Sequence, residues 1–381
     1  MCILRLALIM MLCVTMAQAA ELVKEQDVVI YQDDHFYSAF PSIVKLPAGE
    51  LLCAFRRAPE RRAYGEKGCS HTDPNSYLVL VRSTDNGLTW SKQPELIFAH
   101  PYGGSQDPCM IRLRDGSILC ASYGWARVND DARAENSKMA TAGKFLFLGG
   151  YIMRSTDDGA TWQGPIIPPP TPGCPREGLF HTPLPSYNRG AMIQGKDGKV
   201  YWAVATHLEM KGRTEIHLMV SEDGGLTWEY SGPIAQDEKV VFNETSLYET
   251  PGGDLVAFVR TAGFDDHTVV VRSKDHGETW SPWEDAGFQG HPHFALPLPD
   301  GNVFLIYGYR HEPYGIRARI LNAECTDFAK AEEIVVRADG GGSDLGYPWA
   351  TMMADGKVLA VYYFNKANGT RHIAGTVLSY K

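Results

Sequence analysis

The stretch STDNGLTW, at residues 83–90, recurs three times further along the chain. The later copies are STDDGATW at 155–162, SEDGGLTW at 221–228 and SKDHGETW at 273–280. All four copies keep Ser, Asp, Gly, Thr and Trp at the same spacing, so the chain repeats one supersecondary unit. Asp and Gly favour a tight turn, Thr favours the strand that follows, and Trp supplies an apolar plug. The stretch therefore predicts four hairpin-type turns.

A second repeat raises the number of units from four to six. It is a turn that ends in glycine and leads into a short apolar run, which is typical of a hairpin entering a buried strand. The six turn glycines are Gly49, Gly116, Gly198, Gly253, Gly301 and Gly356. No long segment between them has helical periodicity. Six units of short strands predict an all-β fold, a six-bladed β-propeller formed by residues 21–381 as a single domain.

The N-terminus and the composition limit the possible environment and partners. Residues 1–20 combine an early Arg5, an apolar stretch and an Ala-Gln-Ala ending, which together are typical of a secretory signal peptide. We therefore expect a secreted or periplasmic protein, and no later segment has the apolar length of a membrane span. A formal net charge of −9 argues against nucleic acid as a partner, since such a partner favours a basic surface.

The cysteine pattern points away from a metal site. The six cysteines beyond residue 20 are Cys53, Cys69, Cys109, Cys120, Cys174 and Cys325. None shows the Cys-x-x-Cys spacing of a zinc ribbon. Export permits disulfides, and Cys53 with Cys120 or Cys69 with Cys109 are conceivable pairs, but the pairing stays open. We expect neither a metal nor a cofactor.

The register of the turn glycines predicts where a ligand would bind. In a propeller the innermost strand of each blade begins at the central axis, so equivalent positions should meet there. The residues nine positions before each glycine are Phe40, Asp107, Arg189, Glu244, Pro292 and Tyr347. Four of these six are polar although each leads into an apolar strand. Polar groups that converge on one axis are what a binding cavity requires.

Arginines follow the same register on the far side of the turn. Arg56 and Arg260 stand seven residues after Gly49 and Gly253, and Arg317 follows the corresponding strand of the fifth unit. A guanidinium group pairs with a carboxylate or sulfate in a bidentate manner. Converging arginines therefore favour an acidic ligand.

The repeated stretch matches the Asp-box of sialidases (neuraminidases), and the sixfold repeat resembles their propeller over essentially the whole mature chain. Within NETSLYETPGGDLVAFVR, Glu244 and Arg260 have the spacing found in that family. The resemblance implies that Tyr347 is the nucleophile, with Glu244 as its base. It also implies that Asp73, in HTDPNSYLVLVRSTDNGLTW, is the acid/base group and that Arg260 and Arg317 bind the substrate carboxylate.

The mechanism that the resemblance implies is consistent with physical chemistry. A substrate carbon that bears a carboxylate repels a carboxylate nucleophile, whereas a tyrosine is neutral at rest. A phenol has a pKa near 10 and needs a neighbouring base to become a nucleophile. We therefore expect an exo-acting glycoside hydrolase that removes a terminal acidic sugar, sialic acid or a related one, with retention.

The first blade departs from the family. Sialidases open it with a Tyr-Arg-Ile-Pro-like motif, but this chain reads FYSAFPSIV, with Ser38 or Ala39 in place of the arginine. Arg56 or Arg57, in AFRRAPERR, would supply a substitute from the same blade. The alternative is that the substrate is another sugar and that only the fold is shared.

Histidines add two further candidates and leave the chemistry open. His71 lies two residues from Asp73, and His291 and His293 stand at the axial end of the fifth unit. They suit acid/base or hydrogen-bonding roles, while a metal pair lacks a third ligand. Two rival functions remain. One is a propeller polysaccharide lyase or a glycosidase for uronates or other sugars, and the other is a sugar-binding propeller without catalytic activity.

Overall fold

The computed structural model describes residues 22–66, 72–128, 138–139, 141–142, 144–207, 213–366 and 369–380. Almost all regular structure in these residues is β. The strands are β1 Leu22–Tyr31, β2 Phe36–Lys45, β3 Leu51–Pro59, β4 Tyr77–Ser83, β5 Glu95–Phe98, β6 Gly104–Ser105, β7 Cys109–Arg112, β8 Ile118–Arg127, β9 Thr141–Ala142, β10 Phe145–Ser155, β11 Gln163–Ile166, β12 Ile193–Gln194, β13 Val200–His207, β14 Thr214–Ser221, β15 Glu229–Ala235, β16 Val241–Glu249, β17 Leu255–Ala262, β18 His267–Ser273, β19 Glu284–Gln289, β20 His293–Pro297, β21 Val303–Tyr309, β22 Gly315–Leu321, β23 Ile334–Arg337, β24 Gly346–Met352, β25 Val358–Asn365 and β26 Arg371–Tyr380. Short 3-10 helices cover Arg61–Tyr64 and Leu179–His181. Within the described ranges no helix is long and apolar enough to cross a membrane.

The described strands form six antiparallel sheets, which confirms the six-bladed propeller. From the innermost strand outwards, the first sheet is β2-β3-β4-β5, the third β12 to β15, the fourth β16 to β19 and the fifth β20 to β23. The second sheet has β6 and β7 as its inner edge, followed by β8, β10 and β11. The sixth sheet is β24-β25-β26-β1, so the first strand of the chain completes the last blade and closes the ring.

The repeated Ser-x-Asp-x-Gly-x-Thr-Trp stretch forms the turn after the third strand of a blade. In the first copy Asp85 accepts hydrogen bonds from the Ser83 hydroxyl and the Thr89 amide, at 2.9 and 2.8 Å. Gly87 has φ +82°, a value that glycine adopts without strain, and its amide donates to Ser83 Oγ. The same bonds recur in the other three copies. These aspartates therefore hold turns together, as the sequence predicted.

The innermost strands are interrupted where the ligand-binding register was predicted. A register shift in β2 contains Phe40, another in β16 contains Glu244, and a third in β24 contains Tyr347. Phe40 and Tyr347 have positive φ values of 59° and 54°. Asp107 falls in the gap between β6 and β7. A bulge re-aims a side chain out of the strand pleat, so these interruptions bring side chains of different blades into contact.

The cysteines carry no disulfide in the described structure. Free thiols are present at Cys53, Cys109, Cys120, Cys174 and Cys325. The conceivable Cys53–Cys120 pair is therefore not formed, and Cys69 lies outside the described residues.

Candidate active site

Three of the predicted residues form one hydrogen-bonded cluster between the fourth and sixth blades. The Tyr347 hydroxyl donates a short hydrogen bond to Glu244 Oε1. Arg260 Nη1 donates to Glu244 Oε2 at 2.6 Å and to the Tyr347 hydroxyl oxygen at 3.2 Å. The phenol is thus in direct contact with a carboxylate that can take its proton and with a cation that can stabilise its anion.

Electrostatics fix the resting charges of this cluster. Burial opposes ionisation of Glu244, but the charge of Arg260 and the Tyr347 hydrogen bond outweigh burial and lower the pKa of Glu244. Burial and the Glu244 charge raise the pKa of Tyr347, although Arg260 opposes them. The resting site therefore has an ionised Glu244 and a neutral Tyr347. This is the charge state that a tyrosine nucleophile with a carboxylate base requires.

Two further arginines lie over the ring of Tyr347. The guanidinium carbon of Arg189, from the third blade, is 4.7 Å from the ring centroid, and its Nη2 donates to the Tyr347 carbonyl at 3.1 Å. Arg310, from the fifth blade, lies 5.2 Å from the same centroid. Arg310 is held by hydrogen bonds from Nε to the Leu345 carbonyl and from Nη2 to the Tyr363 hydroxyl, both 3.0 Å.

Arg317 does not join the cluster, and the sequence-based choice of this residue is corrected by the structure. Its guanidinium donates to the carbonyls of Pro313, Ile316 and Arg337 and lies 3.4 Å from Glu333. These contacts keep Arg317 within its own blade. Arg310 contacts Tyr347 instead. Arg310 comes directly after β21, so a comparison restricted to one fixed offset from the turn glycine missed it.

Arg57 is also engaged away from the cluster. It donates to Asp33 Oδ2 and to the Tyr77 hydroxyl, both at 3.0 Å, and its guanidinium carbon lies 3.4 Å from the ring centroid of Phe36. This combination of ion pair, hydrogen bond and cation–π contact gives Arg57 a structural role in the first blade.

Arg56 faces the opposite side of the same strand and is the arginine that can replace the missing one. It is directly opposite Ala39 in the β2–β3 register and is fully buried. None of its three guanidinium nitrogens has a hydrogen-bond partner among the described residues. The rings of Tyr37 and Phe40 lie 5.4 and 5.8 Å from its guanidinium carbon, and burial lowers its pKa. A buried guanidinium whose nitrogens have no hydrogen-bond partner is suited to bind an anion.

Asp107 is a buried carboxyl group with one free oxygen. Its Oδ2 accepts a hydrogen bond from the Tyr123 hydroxyl at 2.9 Å, while Oδ1 has no partner in the described part of the chain. Burial and the nearby charge of Glu244 raise the pKa of Asp107 to about 7, although Arg189 opposes the shift. Asp107 can therefore hold a proton near neutral pH, which an ordinary aspartate does not.

Asp73 lies in the loop between β3 and β4, and both of its oxygens accept hydrogen bonds. Arg61 Nε and Nη2 donate to Asp73 Oδ2 and Oδ1 at 2.8 and 3.0 Å, and the Asn75 amide donates to Oδ1 at 2.8 Å. The charge of Asp73 reaches Arg56, which places the loop at the edge of the site. The sequence did not reveal the partner of Asp73, because Arg61 belongs to the same loop and follows no repeat.

The predicted His291 and His293 are buried, uncharged side chains at the start of the fifth blade. His291 is buried, its Nε2 lies 3.5 Å from Asp266 Oδ1, and burial lowers its pKa to about 4. His293 shares a 2.7 Å hydrogen bond with the Thr268 hydroxyl, and burial lowers its pKa to about 3. Across the described ranges no three His, Cys, Asp or Glu residues are grouped to bind a metal. His71 lies outside the described residues.

Comparisons with known proteins agree with the propeller and with its type of repeat. A family model described as a BNR repeat-like domain matches residues 136–360, which is more than half of the chain. A sialidase from Micromonospora viridifaciens is 22% identical over 306 residues, which cover 78% of this chain and 43% of that protein. This chain therefore spans less than half the length of that curated relative.

Solved structures give the same picture. A protein of unknown function from Dyadobacter fermentans is 55% identical, with a TM-score of 0.92 over 94% of this chain and 99% of that one. The Trypanosoma rangeli sialidase in complex with 2,3-difluorosialic acid, a covalent intermediate, is 14% identical, with a TM-score of 0.64 over 94% of this chain and 59% of that one. At 14% identity the similarity shows a shared fold.

Proposed function

The chain belongs to the BNR repeat-like domain family of the sialidase superfamily, and from this premise we propose that it is an exported exo-glycosidase that hydrolyses a terminal acidic sugar. The observation that carries the proposal is the contact of Tyr347 with Glu244 and Arg260. A buried tyrosine bonded to both a base and a cation is the arrangement needed for a phenolate nucleophile.

The charges around Tyr347 support an acidic substrate. Four buried or partly buried guanidinium groups belong to the site, those of Arg56, Arg189, Arg260 and Arg310. The opposing negative charges are the carboxylate of Glu244, the partly protonated Asp107 and, at the edge of the site, Asp73, which is paired with Arg61. The site therefore has an excess of positive charge in a region where water is scarce. A ligand carboxylate or sulfate would neutralise this excess through charge-assisted hydrogen bonds.

Each catalytic step can be assigned to a residue. Glu244 accepts the hydroxyl proton as the oxygen of Tyr347 attacks the anomeric carbon, and the bond to the leaving oxygen breaks. Arg260 stabilises the developing phenolate through its hydrogen bond. Water then attacks the anomeric carbon of the glycosyl–tyrosine intermediate and gives its proton to the carboxylate that had protonated the leaving oxygen. The bond between the carbon and the Tyr347 oxygen breaks, and Tyr347 recovers the proton from Glu244. Two displacements at one carbon give retention of configuration.

The leaving oxygen needs a proton donor, and the geometry favours Asp107 over the Asp73 expected from the sequence. Both oxygens of Asp73 already accept hydrogen bonds from Arg61. Asp107 has one oxygen that receives no hydrogen bond, and a proton on this oxygen accounts for the missing donor. A carboxyl group with a pKa near the working pH is an effective general acid.

The decisive experiment measures the hydrolysis of acidic aryl glycosides by the wild-type protein and by two variants. Purified protein should release the phenol from an aryl sialoside or a related acidic glycoside, and Tyr347→Phe should lose at least about a thousandfold in kcat. The matched control is Tyr201→Phe, since this tyrosine is also buried and bonded to a carboxylate, that of Asp197, at 2.6 Å but belongs to the β13 hairpin. Detection of an unsaturated uronate product would show that the protein is a lyase and not a hydrolase. Ligand binding without turnover on any substrate would reject catalysis.

A further inference from the structure

We infer that Tyr102 and Phe180 form a binding platform for the leaving group of the substrate, an uncharged pyranose ring linked to the acidic sugar. The inference rests on the proposed function, because a leaving group exists only if a glycosidic bond is cleaved. It adds a second subsite on the side of the second and third blades.

The topology places both aromatic residues at the end of the propeller where the site lies. Tyr102 lies in the connection from β5, the outermost strand of the first blade, to β6, and Asp107 follows five residues later. Phe180 lies in the equivalent connection from β11 to β12, which contains Arg189. Both connections therefore end at the register position that meets near Tyr347.

The two rings are exposed although they contact each other. Tyr102 is 56% and Phe180 is 67% exposed. Their centroids are 5.3 Å apart at an interplanar angle of 82°, an edge-to-face pair. An exposed pair of large aromatic side chains at the edge of a binding site is a recognition surface. A pyranose fits it, because the C–H faces of the ring are apolar while its hydroxyl groups point outwards.

The backbone keeps Phe180 in this exposed position. Phe180 and His181 are consecutive residues with φ values of 64° and 57°, which non-glycine residues adopt at a cost of about 1 kcal/mol or more each. A 2.9 Å contact between His181 Nδ1 and Glu177 and a 2.9 Å bond from the Gly178 amide to the Thr182 carbonyl hold this loop. The strain is consistent with a ring that is held out for a ligand.

A groove lies beside Tyr102 and next to the loop that carries Asp73. Its volume is about 490 Å³, within the range of small-ligand sites, and Tyr102 is one of its walls. Another wall is formed by residues 74–77, which directly follow Asp73. The two walls are joined by hydrogen bonds from the Ser76 hydroxyl to the Ser105 carbonyl and from the Ser105 amide to the Ser76 carbonyl, at 2.6 and 2.9 Å. Asp73 directly precedes one of these joined segments and Asp107 follows Ser105 by two residues, so we expect the departing sugar to lie in this groove.

Polar groups in the groove suit a neutral sugar better than a second acid. Arg127 and Asn75 both line the groove and are exposed, so donors and acceptors for hydroxyl groups are present. His100 also lines it and is partly buried, and burial lowers its pKa, so it is neutral near pH 7. The concentrated positive charge is at the axis, where the acidic sugar binds.

The test compares two substrates that share the acidic sugar but differ in the leaving group. One is the glycosyl fluoride, whose leaving atom is too small to reach the platform, and the other carries a neutral disaccharide. For Tyr102→Ala and Phe180→Ala we expect kcat/KM on the disaccharide substrate to fall about tenfold, with the fluoride unchanged within about twofold. Leu88→Ala is the control, because Leu88 is equally exposed, at 68%, but lies in a repeat turn outside the groove.

The outcomes separate this inference from the proposed function. Equal losses on both substrates, or no loss on either, would overturn the platform while wild-type turnover of the fluoride upholds the glycosidase. If the wild-type protein cleaves neither substrate, the proposed function fails. Binding of the free disaccharide then tests the platform. Saturation-transfer NMR should then show the free disaccharide contacting the wild-type protein but not the Tyr102→Ala, Phe180→Ala double variant. Equal signals from both proteins would reject the platform.

Discussion

Replacing Arg56 by methionine should stabilise the ligand-free protein and weaken its binding of substrate. Arg56 is fully buried, and its three guanidinium nitrogens have no hydrogen-bond partner in the described structure. A buried charge without a hydrogen-bond partner costs several kcal/mol. The attraction of Asp73 and Asp107 and the cation–π contacts to two rings at 5.4 and 5.8 Å offset only part of this cost. Methionine keeps the apolar stem and removes the charge.

The expected gain follows from these costs. We expect Arg56→Met to raise the free energy of unfolding by about 2–4 kcal/mol. At an unfolding entropy of about 2.1 cal/mol/K per residue, this raises the Tm of the 381-residue chain by about 3–5 °C. Loss of a charge-assisted bond to the substrate anion should cost about 1.5–3 kcal/mol, a fall in kcat/KM of about 10- to 150-fold.

Scanning calorimetry with and without the free acidic sugar, together with kcat/KM, measures both effects. Arg57→Met is the matched control on the next residue. It removes the partner of Asp33 and should lower stability by about 1 kcal/mol while kcat/KM is kept. If Arg56→Met destabilised the free protein as Arg57→Met does, Arg56 would be a structural residue and the reasoning would be refuted.

Three other outcomes follow from the site. Asp107→Asn should slow cleavage about 10²- to 10⁴-fold for poor leaving groups and much less for good ones, with azide restoring the rate, whereas Asp73→Asn should not show this dependence on the leaving group. Because the pKa of Asp107 is raised to about 7 in the folded protein, its contribution to stability is full below about pH 4 and lost as pH rises through 7. The urea concentration at the unfolding midpoint should therefore fall between pH 4 and 8, and it should fall less steeply for Asp107→Asn than for the wild-type protein. Arg189→Lys should lower kcat about tenfold or more with little change in KM, since lysine cannot both bond the Tyr347 carbonyl and cover its ring.

The propeller could be predicted from the sequence because its turns demand particular residues. Gly87 needs a positive φ, and Asp85 must accept hydrogen bonds from Ser83 and Thr89, so the turn requires the same residue types in each copy. Glu244 and Tyr347 were found for a related reason. Both occupy the interruption of an innermost strand, which stands at a constant distance from the turn glycine.

The remaining site residues depend on contacts that no repeat constrains. Arg310 follows its strand at a different offset, so only the contact with the Tyr347 ring reveals it. Neighbouring Arg56 and Arg57 face opposite sides of β3, and the side that faces the site is set by the pairing of Arg56 with Ala39. The ion pair between Asp73 and Arg61 is a product of loop folding, which sequence periodicity does not describe.

The site has its first-blade arginine on β3, at Arg56, and not on β2, where Ala39 stands. This difference bears on which substrate binds. The two positions face each other across β2 and β3, so the small side chain of Ala39 leaves room for the guanidinium of Arg56. A charge attached to β3 rather than β2 starts about 5 Å away from the place where the sialidase resemblance expects it. Arg189 adds another cation from the third blade. Arg56 and Arg189 thus add cations from the first and third blades to those of the fourth and fifth, so we expect the best substrate to carry its acid group at a different position on the ring from that of sialic acid.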